Sequence, residues 1–168
     1  WWGCVDWDEG REASFIHAKN VHEVLAQIGI KGWVERSRSK GFHLWVFFTE
    51  PLAARIVRDG LIGICNVVGA PTKEVNPKQI SLVGKKIGNG MRLPYPALRD
   101  PGQHEMLNPK ATYSQIPTAD SFVADALETR ITAEQWDAAH ALYKKNEPPP
   151  VRRPSYSYTG SRLTGSAE

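Results

Sequence analysis

The stretch Glu35-Arg36-Ser37-Arg38-Ser39-Lys40-Gly41-Phe42-His43-Leu44-Trp45-Val46-Phe47-Phe48 decides how the rest of the chain is read. Its first half is a loop of donors. Arg36, Arg38 and Lys40 bring positive charge, Ser37 and Ser39 bring hydroxyls, and Gly41 lets the backbone approach a ligand closely. From Phe42 to Thr49 nearly every position is apolar, which predicts a strand covered on both faces. Alternation places Gly41 and His43 on one face of that strand and Phe42 and Leu44 on the other. A donor-rich loop two residues before a histidine suits a triphosphate. The plainer alternative is a hydrogen-bonded core histidine.

Upstream, Trp1 to Trp7 reads as a second strand of aromatic and β-branched residues, ended by Asp8-Glu9-Gly10. Asp6 and Asp8 are two apart, so a strand presents both on one face, with Trp7 turned into the core. Two neighbouring carboxylates repel unless a cation lies between them. Hard oxygen donors select Mg²⁺ or Mn²⁺. A solvated strand end explains the same pair without a metal. Downstream, Lys73-Glu74-Val75-Asn76-Pro77-Lys78-Gln79 is followed by Gly88-Asn89-Gly90-Met91-Arg92-Leu93-Pro94. Glu74 is a candidate third carboxylate and Lys78 a candidate phosphate contact, with Asn89 and Arg92 lining the same cleft. Taken alone, these residues also describe a surface strand and a Gly-rich turn.

Between these segments, apolar spacing predicts a helix over His17–Ile28, with Gly29 as its stop, and a short strand at Trp33–Glu35. A second helix is expected from Pro51, with Leu52, Ile56, Leu61, Cys65 and Val68 as its stripe, weakened slightly by Gly60 and Gly63. Short strands follow at Thr72–Val75 and Met91–Leu93, then a long loop over 96–117. Helices are expected at Ser121–Glu128 and Thr132–Lys145, the latter with a Thr132/Gln135 capping box. Hairpins mixed with crossovers make the class α+β, with a largely antiparallel or mixed sheet and C-terminal helices.

The chain has 168 residues, 41% hydrophobic and 23% charged, with a net charge of +3. One folded domain is the expectation. Wholesale disorder, a disulfide scaffold and a membrane-spanning segment are excluded, so no membrane partner is expected. Cys4 and Cys65 lie among apolar residues and read as buried thiols of an intracellular protein. With no Cys-x-x-Cys pair, no zinc is expected in this segment. The tail after Pro148-Pro149-Pro150 is polar and aperiodic, a linker or disordered segment. The apolar opening Trp1-Trp2-Gly3-Cys4-Val5 suggests a strand whose upstream neighbours have been removed.

In combination, Asp6-Trp7-Asp8, Gly41-Phe42-His43 and Glu74 resemble the motifs of the archaeo-eukaryotic primase superfamily, in its phage and mobile-element primase-polymerase branch. That family ends a strand with an acidic pair. About thirty to forty residues later come a Gly-rich loop and a small-x-His strand, then a third acid. The resemblance spans Trp1 to Pro96 well and the C-terminal helices loosely. It departs in carrying Glu where the third motif is usually Asp, and in lacking elements before the acidic pair. It implies a catalytic domain over 1–146, truncated at its N-terminus and followed by a tail over 147–168. The core would be related to the RNA-recognition fold, beside a smaller αβ unit. The implied activity is template-directed nucleotidyl transfer, as DNA primase, DNA polymerase or both, in replication of a phage or mobile element. Asp6, Asp8 and Glu74 would be catalytic and hold Mg²⁺ or Mn²⁺. Arg36, Ser37, Arg38, Ser39, Lys40, Gly41 and His43, with Lys78, Asn89 and Arg92, would bind the nucleotide. Implied partners are DNA template and primer, nucleoside triphosphates, and a replicative helicase in cis or trans. The implied location is the cytoplasm of a bacterium or phage-infected cell. Two other functions use parts of the same pattern: a two-metal nuclease, which needs no basic triphosphate loop, and a non-catalytic nucleic-acid-binding module, which would keep sheet aromatics free for stacking.

Overall fold

In the computed structural model, residues 1–84, 87–95, 104–114 and 116–145 are described. The elements run β1 (Trp2–Trp7), α1 (Arg11–Gln27), β2 (Trp33–Arg36), β3 (Phe42–Phe47), α2 (Ala54–Val67), β4 (Val75–Asn76), β5 (Glu105–Met106), a 3₁₀ turn (Pro109–Ala111), α3 (Ala119–Glu128) and α4 (Ala133–Lys145). The strands form one sheet in the order β4-β1-β3-β2-β5, and each pairing is antiparallel. The class is therefore α+β. β1-α1-β2-β3-α2-β4 with β1 and β3 in the middle is the split βαβ arrangement, and β5 extends it beside β2.

Alternation gives the sheet two unlike faces. Val5, Trp7, Val34, Phe42, Leu44 and Val46 are buried with Ala18, Val21 and Leu25 of α1 and Val57, Leu61 and Ile64 of α2. On the other face, Cys4, Trp33 and Trp45 are buried with Met106 and Phe122 of α3. That second cover explains why β3 is apolar on both sides. It also places Trp33 and Trp45 under other side chains rather than free for base stacking. Both cysteines are free and buried; burial raises each thiol, Cys65 to about 12.

Helix α1 starts at Arg11, earlier than the apolar spacing indicated, because its first turn buries Ser14, whose Oγ accepts from Glu9 N–H at 3.1 Å. It ends as a Schellman motif: Ile30 N–H donates to the Leu25 carbonyl and Gly29 N–H to that of Ala26, with Gly29 at φ 75°. α2 starts at Ala54 rather than at Pro51, after an extended Ala53. The strand expected at Thr72–Val75 is Val75–Asn76, and Met91–Leu93 is not a strand. A two-residue strand, β5, lies inside the expected 96–117 loop, where two residues are too few to show a period. The capping box of α4 forms, with Gln135 N–H donating to Thr132 Oγ1 at 3.2 Å and Thr132 N–H to Gln135 Oε1 at 2.9 Å. The expected tail over 147–168 lies outside the described residues. No helix among them is long and apolar enough to cross a membrane.

Candidate nucleotide site

The site lies on the α3 side of the sheet, at the end where β1 stops and the β2–β3 hairpin turns. Asp6 is directly opposite His43, His43 opposite Glu35, and Glu35 opposite Met106. On the far side, Asp6 N–H donates to the Glu74 carbonyl at 3.0 Å. Opposed residues of an antiparallel pair share a face, so an acid, an imidazole and a second acid stand in one row across three strands. Asp6 and His43 thus meet as the alternation of their strands requires, with His43 Nε2 3.3 Å from Asp6 Oδ1. Asp6 is partly open to solvent and His43 nearly closed off.

Behind this pair is a buried polar centre. Glu35 has no exposed surface. Its Oε2 accepts from His43 Nδ1 at 2.8 Å and from the Trp45 indole N–H at 2.5 Å, and its Oε1 accepts from His104 Nδ1 at 2.8 Å. Burial by itself lowers the His43 imidazole. Hydrogen bonds to Asp6 and Glu35 and the charges of both outweigh it and lift His43 to about 9. His43 is therefore an imidazolium at neutral pH, donating from both nitrogens. His104 is also buried and sits in left-handed backbone at φ 54°. Its Nε2 has no hydrogen-bond partner.

Glu35, His43 and His104 bring one ligand atom each within 4.8 Å of one another, the one such group of three among the described residues, and could hold a metal ion. As the side chains stand, an indole N–H, which can only donate, and two imidazoles occupy that carboxylate with hydrogen bonds. Asp6, Asp8 and Glu74 are not gathered to the same spacing. Asp8 is exposed just beyond β1. Glu74 lies one residue before β4 and is paired with Lys78.

The loop between β2 and β3 closes by Ser37 N–H to the Gly41 carbonyl at 3.1 Å. A Cβ at Gly41 would stand 2.6 Å from the Trp7 carbonyl oxygen, 2.9 Å from Ser37 Oγ and 3.3 Å from Asp8 Oδ1. Glycine is thus what lets this loop lie against the end of β1 beside Asp8. Arg38, Ser39 and Lys40 are exposed, and Arg36 and Ser37 half-buried. Arg11 Nη2 donates to the Ser39 carbonyl at 3.3 Å, tying the loop to α1. Asn89 is held by Gln79 through two hydrogen bonds, 2.5 and 2.9 Å, which engage its side-chain oxygen and its backbone N–H and pin a loop. Arg92 is exposed. The sequence reading quoted Glu35 without giving it a role and did not reach His104. Glu35 had a signal, being two residues after Trp33 on a short strand opposite the His43 strand. His104 had none.

The arrangement is a split βαβ sheet that sets a carboxylate against an imidazolium beside a cationic glycine loop. Over residues 1–104 the chain matches the family described as TOTE conflict system, Archaeo-Eukaryotic Primase domain, and it belongs to that family. It is a primase-like nucleotidyl-transfer domain, with the nucleotide and nucleic-acid binding that this entails. No curated protein matches the chain.

Proposed function

We propose that the domain carries out template-directed nucleotidyl transfer, as DNA primase or DNA polymerase, with Mg²⁺ or Mn²⁺ held by Asp6 and Asp8. The observation that carries this reading is the Asp6–His43 contact, 3.3 Å between Oδ1 and Nε2 on one face of two paired strands. The donors suit a hard cation: carboxylate oxygens, those of Asp6 partly buried and those of Asp8 exposed. The Gly41 backbone lies against the Trp7 carbonyl with no room for a Cβ, which brings the loop close beside Asp8 Oδ1. Glu74, one residue before β4 and beside Asp6, would be a third ligand once released from Lys78. When bound, the metal would supply charge stabilisation for the in-line displacement on the triphosphate.

The chain's own residues do the rest. His43, an imidazolium fixed from behind, donates to a phosphate oxygen in the cleft. Arg38 and Lys40 neutralise triphosphate charge, and Ser37, Ser39 and the Gly41 backbone supply shorter-range donors, whereas Arg36, opposite Phe42, faces the α1 side of the sheet. Lys78 lies near Glu74 at the opposite edge. Arg92 is an outer contact, while Asn89 contributes by holding its loop. A surface groove of about 400 Å³ on the α1 side of the same hairpin is lined by Arg11, Glu12, Phe15, Arg36, Phe42, Leu107 and Tyr113. Cations and aromatic edges in one groove suit a template or primer strand held by its backbone and bases. A setting in DNA replication of a phage or mobile element rests on the motif resemblance.

The test is primer extension with template, Mn²⁺ or Mg²⁺ and labelled nucleotides, with and without a primer. Asp6→Ala should abolish incorporation while leaving DNA binding unchanged or slightly tighter, since it removes negative charge. Retained incorporation in Asp6→Ala would refute the assignment of the metal to this pair.

A further inference from the structure

We propose that Glu35 is a positioning residue of the nucleotide site, acting through His43 and braced by His104 and Trp45. This rests on the nucleotide-binding reading of His43 given above. A buried carboxylate is destabilising unless its lone pairs are filled. Here three donors from two segments fill them: Trp45 and His43, two residues apart on β3, and His104 just before β5. Glu35 itself cannot reach solvent or a ligand. What it does is fix one imidazole.

Because His43 Nδ1 is taken by Glu35 Oε2, the ring cannot flip without breaking a buried bond. Nε2 is then the nitrogen left at the Asp6 side, where it is 3.3 Å from Oδ1. The Trp45 N–H on the same Glu35 oxygen fixes the carboxylate's rotation. His104 on the other oxygen keeps the second lone-pair side from turning toward His43. His104 gives up a hydrogen bond at Nε2 in this arrangement.

The test is a double-mutant cycle, read as the Kd for a non-hydrolysable nucleoside triphosphate with Mn²⁺ and as kcat and KM in primer extension. His43→Ala should weaken nucleotide binding about ten- to a hundredfold. Glu35→Gln keeps the volume and removes the charge and one acceptor. It should raise Kd and KM about five- to tenfold with kcat within about twofold. In the His43→Ala background the same substitution should change neither. Should Glu35→Gln fail to fold, His104→Phe serves instead. It removes the donor on Glu35 Oε1, so the melting temperature should fall, while Kd in the folded fraction rises about two- to threefold, again only when His43 is present. Equal effects of Glu35→Gln or His104→Phe with and without His43, or no effect on nucleotide binding in folded variants, overturn the proposal. If instead the wild type binds no nucleoside triphosphate, or His43→Ala binds it normally, it is the function reading that falls.

Discussion

Raising the pH should loosen this fold through His43. The imidazole lies at about 9 in the folded protein because Asp6 and Glu35 bind its charged form more strongly than burial opposes it. The unfolded chain keeps the ordinary value near 6.5. Between those values the folded state holds a proton that the unfolded state has released, so folding becomes less favourable as the pH climbs. The stabilisation is fully present below about pH 6.5 and is gone above about pH 9. At about 1.4 kcal/mol for each pH unit, the gap amounts to about 3 kcal/mol. That is an upper figure, because Asp6 is partly solvated and its attraction is screened. The assay is urea unfolding in EDTA, followed by tryptophan fluorescence, of wild type and His43→Gln at several pH values from 6 to 9.5. Burial lifts the Cys4 and Cys65 thiols above this range in the folded protein, so they titrate within it only in the unfolded chain; that contribution is common to both proteins and cancels in the difference. The wild-type advantage should shrink by about 2–3 kcal/mol across the series. An advantage that stays constant within about 0.5 kcal/mol would mean that His43 is not held as an imidazolium between the two acids.

Three further outcomes follow from contacts in the structure. Gly41→Ala should impair nucleotide incorporation and cost about 1–3 kcal/mol in urea unfolding, because its Cβ meets the Trp7 carbonyl at 2.6 Å; unchanged activity and stability would show the hairpin free to move away. Gly63→Ala should lower the melting temperature by several degrees without touching nucleotide affinity in the folded fraction, since its Cβ would fall 2.4 Å from Tyr143 Cα in α4. Thr132→Ala should cost about 1 kcal/mol by removing the acceptor for Gln135 N–H, measured by the same denaturant titration.

The parts legible in the sequence were those whose cause is local. Asp6, Trp7 and Asp8 declare their faces by period two, and the structure places Asp6 opposite His43 and Trp7 in the core. The donor loop, the strand after it and the Thr132 capping box are likewise matters of a few adjacent residues. What stayed hidden depends on partners far along the chain. Gly60 and Gly63 read as weak points of a helix. In the fold they are where α4 comes against α2, with Trp136 and Tyr143 occupying the space their side chains would take. Their helix-propensity cost is set against close packing that no local window contains. Glu35 shows the same limit at the site. On its own strand it is one acid next to a basic loop, and solvent exposure is the natural reading. Its burial becomes tolerable only when Trp45 and His43 arrive from the neighbouring strand and His104 from 69 residues away. A sequence pattern can therefore nominate the groups that face a ligand, because they must reach solvent from strand ends and loops. The groups that hold those in place are chosen by tertiary pairing, and only the assembled sheet reveals them.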